Sequence, residues 1–128
     1  CMPCRDLAAQ LNASYDDILA EEAEVLLVLN APLDNAARLK RELGIRYPVL
    51  ADEQAEAFAR YGAVGRERKP RAAVFVADRF GELYHVSVPE QEHDLPSVSD
   101  VLSWLGFIEI QCPECGAPEW PRLMRAHE

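Results

Sequence analysis

A chain of 128 residues and 14.3 kDa has room for one ordinary hydrophobic core and not for two independent domains. Acidic side chains outnumber basic ones 22 to 13, a net charge of −9, so the summed field repels phosphate backbones and anionic membrane surfaces and nucleic acid is not expected as a partner. Hydrophobic residues make up 49% of the chain, but no window approaches the ~18 consecutive apolar residues of a membrane span, so no membrane insertion is expected.

Taken in chain order, Leu7, Leu11, Tyr15, Ile18 and Leu19 recur at spacings of three and four, which predicts one long amphipathic helix from Pro3 to about Glu22. The apolar run "VLLVL", Val25 to Leu29, suits a strand covered on both faces. Asn30, Pro32 and Asp34 end it, and Asp34 is the expected cap of a helix closing at Leu43-Gly44. "RYPVLAD" reads as a short extended piece, with Asp52 as the cap of a further helix through Phe58 to Tyr61-Gly62. After the polar connector "GRERKP", Ala72 to Ala77 and Leu83 to Val88 read as strands. The short connection "DRFG" makes them an antiparallel hairpin. Ser97 and Asp100 have capping-box spacing ahead of the stripe Val98, Val101, Leu102 and Leu105, which predicts a last helix. The remainder, "QCPECGAPEWPRLMRAHE", carries three prolines and little periodicity. The expected organisation is one domain over 1–107 and a tail over 108–128.

The four cysteines fall in two tight pairs, Cys1/Cys4 and Cys112/Cys115. Disulfide frameworks of small secreted domains scatter their cysteines, whereas paired C-x-x-C spacing in a core-sized chain points to redox or metal chemistry. "CMPC" opens the first helix, where unpaired N–H groups and the positive end of the dipole favour thiolate over thiol. Cys1 is the expected nucleophile. Cys4, one turn on, is placed to attack a mixed disulfide at Cys1 and release the product. Pro3 suits an early helical position, where its missing N–H costs nothing. The plainer readings are half of a zinc site or two surface thiols; a helix following directly on C-x-x-C favours the redox one.

"CMPCRDLAAQL", "YPVLADEQAEAFARYG" and "AAVFVADRFGELYHV", in this order, resemble the redoxins of the alkyl hydroperoxide reductase/thiol-specific antioxidant type, over roughly residues 1 to 107. The resemblance implies an α/β, thioredoxin-like three-layer fold with a central mixed sheet. It also places a strand before the cysteine motif, so the sequence is expected to lack its N-terminal strand and to be part of a longer chain. The implied activity is thiol-disulfide oxidoreductase, with peroxiredoxin-type thiol peroxidase as the alternative. The implied partners are a protein disulfide or a peroxide as substrate and a thiol reductant, with no cofactor required. A Thr three positions before the peroxidatic cysteine would mark the peroxidase, and that position precedes Cys1. By the same resemblance Pro70 is the candidate cis-proline opposite the cysteines and Arg71 the candidate for polarising a peroxide, against a connector-ending proline and a solvated charge. Arg5 could support the thiolate or simply be a surface charge.

"CPECG" at Cys112 to Gly116 is similar to the knuckle of zinc ribbons, in which a tight turn aims two thiolates at one ion. A full site needs further ligands, from His127 or from a second chain, and two tails meeting at one zinc predict a homodimer. The alternatives are a second dithiol exchanging with Cys1/Cys4 or a local disulfide. The last helix of a thioredoxin topology runs away from the active site, which disfavours direct relay. Trp120 and Pro121 are expected to pack the tail onto the body or a partner. His85, His93 and His127 have no ligand spacing among them, and His85 reads as a half-buried packing residue. A non-catalytic redoxin-fold binding module remains the reading from another class. A cytoplasmic location is expected, with an extracytoplasmic one left open because the sequence does not begin with Met.

Overall fold

The computed structural model describes residues 2–110, so Cys1 and residues 111–128 lie outside the described part. Helix α1 (Met2–Ala13) is followed after one residue by α2 (Tyr15–Ala20), where the sequence predicts a single helix. The break falls at Ser14, with φ −101° and ψ 13°. Its cause lies in the neighbouring Asn12, whose polar groups are taken up by Gly44 and Arg46, at the end of the helix Leu33–Leu43. Asn12 Nδ2 donates to Gly44 O (3.0 Å), its Oδ1 accepts from Arg46 N (2.8 Å), and its carbonyl accepts from Arg46 Nη2 (3.1 Å). A long-range clamp thus overrides local helical periodicity.

Strand β1 (Leu27–Leu29) is shorter than the apolar run that contains it. Helix α3 (Leu33–Leu43) starts from Pro32 rather than from an Asp34 cap: Asn35 N and Ala36 N both donate to Pro32 O, and Asp34 sits inside the first turn. There it complements the positive end of the helix dipole, as Lys40 and Arg41 complement the other end. Gly44 closes α3 in the left-handed region (φ 62°), with its N–H and that of Ile45 returning to Arg41 O and Lys40 O. Strand β2 (Val49–Ala51) then pairs with β1 in parallel, Leu27 opposite Val49 and Leu29 opposite Ala51. Asp52 caps α4 (Glu56–Tyr61) as expected, its carboxylate accepting from the N–H groups of Glu56 (2.9 Å), Ala57 (2.9 Å) and Phe58 (3.2 Å).

Strands β3 (Val74–Ala77) and β4 (Leu83–Ser87) form the predicted antiparallel hairpin, with an irregularity between Val76 and Ala77. Asp78 Oδ1 holds the turn by accepting from Phe80 N and Glu82 N, and Gly81 supplies a φ of 84°. Helix α5 (Val98–Glu109) opens on the full capping box of Ser97 and Asp100 and runs two residues past the boundary expected at 107.

The expected single mixed sheet is present as two separate pairs, β1 with β2 and β3 with β4. No described strand hydrogen-bonds to both, so the pairs are joined by helices: α5 packs against α1, α2 and β3. The main core lies beneath α1, where Ala8, Tyr15, Ile45 and Tyr47 are buried with Leu11, Val25, Leu27, Leu43 and Val49 packed around them. Burying side chains of this size stabilises by about 1.5–3 kcal/mol each. Tyr47 is fully buried, and its hydroxyl donates to Ala8 O at 2.7 Å, which ties the segment leading into β2 to α1 without leaving the hydroxyl unpaired.

Candidate functional site

Cys4 sits in the first turn of α1, as the sequence predicts, and is disulfide-bonded. Its expected partner in chemistry, Cys1, lies outside the described residues. The helix carries no acidic residue in its first turn, so nothing there opposes the dipole that favours a thiolate. Arg5 is paired with Glu42 at 3.6 Å, both side chains about half exposed, an ion pair of little energetic weight that directs the guanidinium toward α3.

Beside the motif lies an open cleft of about 300 Å³. One wall is a single face of α1, namely Pro3, Asp6, Leu7 and Gln10 at helical spacing. The other is the one-turn 3-10 segment Glu92–Asp94 and the stretch leading into α5, contributing Glu92, His93, Leu95, Pro96 and Ser97. Leu7, Leu95 and Pro96 are half-buried, whereas Asp6, Glu92 and His93 are exposed. His93 Nε2 is 3.6 Å from Asp94 Oδ1. No sequence pattern singles out Asp6 or Glu92, and His93 enters the sequence reading only as a histidine without ligand spacing, although the α1 half of the cleft is legible as an i, i+3, i+4 face starting at Pro3.

Pro70 and Arg71 are not part of this cleft. No cis peptide bond occurs among the described residues, so the bond preceding Pro70 is trans and the cis-proline expectation is corrected. The reason is local pairing: Pro70 bridges antiparallel to Val64, Gly65 N donates to Lys69 O (2.8 Å), and Arg71 N donates to Ala63 O (2.9 Å). Pro70 thereby closes a loop around the one-turn 3-10 segment Arg66–Arg68. The Arg71 side chain lies against Gly65, where an added Cβ would stand 2.6 Å from its Cδ, and its Nη2 donates to Pro89 O at 2.6 Å. It is a half-buried strut between two loops rather than the solvated charge weighed above.

His85 stacks on Trp104 of α5, ring centroids 3.8 Å apart and 22° between planes, which agrees with a packing residue on β4. Among the described residues no three His, Cys, Asp or Glu side chains converge to hold a metal ion. Cys112, Cys115, Trp120, Pro121 and His127 lie outside the described residues. Perturbed ionisation is found away from the cleft. Burial pushes the Tyr47 phenol up to about 12. Tyr15 is raised by its hydrogen bond to the Glu24 carboxylate and then by burial, and Glu109 is raised first by its hydrogen bond to Glu21.

The profile of the AhpC/TSA family matches residues 1–86, two thirds of the chain. Among curated proteins no significant match is found. Fifteen chains of solved structures match significantly. One is the crystal structure of peroxidoxin BcpB from Mycobacterium tuberculosis, 22% identical, with a TM-score of 0.72 over 86% of this chain and 72% of that one. That likeness shows a thioredoxin-like fold, which the two half-sheets and their helices share. With the cysteine at the start of α1, the Asp52-capped helix and the Asp78 hairpin turn all inside or overlapping the matched segment, the chain belongs to the AhpC/TSA family of peroxiredoxin-type redoxins.

Proposed function

We propose that the chain is a two-cysteine redoxin in which Cys1 is the nucleophile and Cys4 the resolving thiol, with a peroxide as the oxidising substrate. The observation that carries the reading is Cys4, disulfide-bonded in the first turn of α1 in a chain of this family. In the proposed cycle the Cys1 thiolate attacks the terminal oxygen of a hydroperoxide, the O–O bond breaks, and the alkoxide leaves with a proton as the alcohol. Cys1 is left as a sulfenic acid. The Cys4 thiol then attacks that sulfur, expelling water and forming the disulfide. An external dithiol restores the reduced pair and is itself oxidised. No cofactor enters this balance.

Reduction of a protein disulfide by the same pair is the second reading, favoured by the open cleft that begins at Pro3 beside the motif. Peroxide consumption and disulfide reduction, each measured with an excess of dithiol, separate the two. Cys1→Ser is expected to abolish both, whereas pre-reduced Cys4→Ser, given peroxide without dithiol, is expected to complete one turnover and accumulate an oxidised Cys1 visible by mass. Full activity of Cys1→Ser would overturn the mechanism. A non-catalytic module predicts no turnover from either substrate.

A further inference from the structure

We propose that the cleft between α1 and the 92–97 segment is a docking site for a cationic peptide segment, one bearing Lys or Arg beside the cysteines that the motif exchanges with; this rests on the thiol-exchange reading above. The cleft starts at Pro3, the residue preceding Cys4, so a chain lying in it passes directly beside the motif. Its volume, about 300 Å³, is at the small end of ligand sites and matches one or two side chains of an extended peptide rather than a cofactor.

The lining decides the charge. Asp6 and Glu92 line opposite walls, and neither carboxylate has an ion pair or hydrogen bond among the described residues. The neighbouring Arg5 is paired with Glu42, His93 of the cleft wall faces Asp94, and no Lys or Arg is among the described residues that line the cleft. Between them Leu7, Leu95 and Pro96 offer a half-buried apolar floor. An aliphatic stem on an apolar floor with its charged head at a carboxylate rim is the fit of a Lys or Arg side chain. The net charge of −9 steers such a segment in and disfavours an acidic one.

The test uses the full chain and two fluorescent peptides in which Ser replaces every Cys, one flanked by Arg and the other by Glu, with binding read by anisotropy. The Arg peptide is expected to bind and the Glu peptide to bind far more weakly. Asp6→Lys and Glu92→Lys should each weaken the Arg peptide roughly two- to fivefold, the range of an exposed ion pair. Glu53→Lys, the same charge change outside the cleft, should leave it unchanged. Equal binding of both peptides, binding of neither, or an equal loss with Glu53→Lys would overturn the proposal, as would self-association that Asp6→Lys abolishes, which would assign the cleft to a second copy. No cysteine takes part in the readout, so a failure here is distinct from a failure of the redox mechanism.

Discussion

Tyr47 shows how a single side chain sets both packing and pH response. Its ring is fully buried against Tyr15, centroids 5.8 Å apart, and its hydroxyl spans to α1 through Ala8 O. Tyr47→Phe keeps the ring and deletes the donor, leaving a buried carbonyl short of a partner, so a loss of about 1–2 kcal/mol is expected in urea unfolding. The phenol's pKa is raised by burial, from 10.0 to about 12, so the folded chain holds this proton more tightly than the unfolded one. Its contribution is complete below the unfolded value and falls away as pH climbs from about 10 through about 12, by up to roughly 2–3 kcal/mol. The parent should therefore lose stability across that window more steeply than Tyr47→Phe. Parallel slopes would rule out this assignment. At the same scale, Arg71 makes a contact to Pro89 O that no sequence pattern announces.

Helix ends carry most of the local specification. Asp52 satisfies three N–H groups of α4, a helix of 6 residues that buries none of them fully and so depends on its cap. Asp52→Ala is expected to cost about 1–2 kcal/mol and to raise amide exchange first at Glu56, Ala57 and Phe58. Uniform exchange over the whole chain would instead mean that α4 opens only with global unfolding. Asp34 teaches the converse. An acidic residue before a helical pattern suggests a cap, but Pro32 two residues earlier supplies the first helical carbonyl, and Asp34 is left to the dipole.

At the scale of the whole molecule, the two half-sheets share no hydrogen-bonded strand among the described residues, and α5 packs against β3 as well as against α1 and α2. Its far end meets α2 through a pair of carboxyl groups, Glu109 and Glu21, with Arg79 from the hairpin turn partly offsetting their charge. Glu109 holds its proton above the ordinary carboxyl value because of the hydrogen bond to Glu21. That contribution is present below the ordinary value and is lost as pH rises through the raised one. Glu109→Gln keeps a donor without the charge, so its melting temperature should equal the parent's near about pH 4 and exceed it near about pH 7. A variant that melts lower at both would show that repulsion at this junction is negligible.

The sequence by itself determined the element order, the hairpin, the capping box at Ser97, the cap at Asp52 and the motif at the start of α1, because each is written in neighbours within a few residues, where propensity and capping act. The family was legible for the same reason, as ordered local motifs. Tertiary structure alone decided the break at Ser14, the strut made by Arg71, and the cleft lined by Asp6 and Glu92. Those depend on contacts between residues far apart in sequence, which periodicity cannot encode because it fixes which face a side chain occupies and not what that face meets.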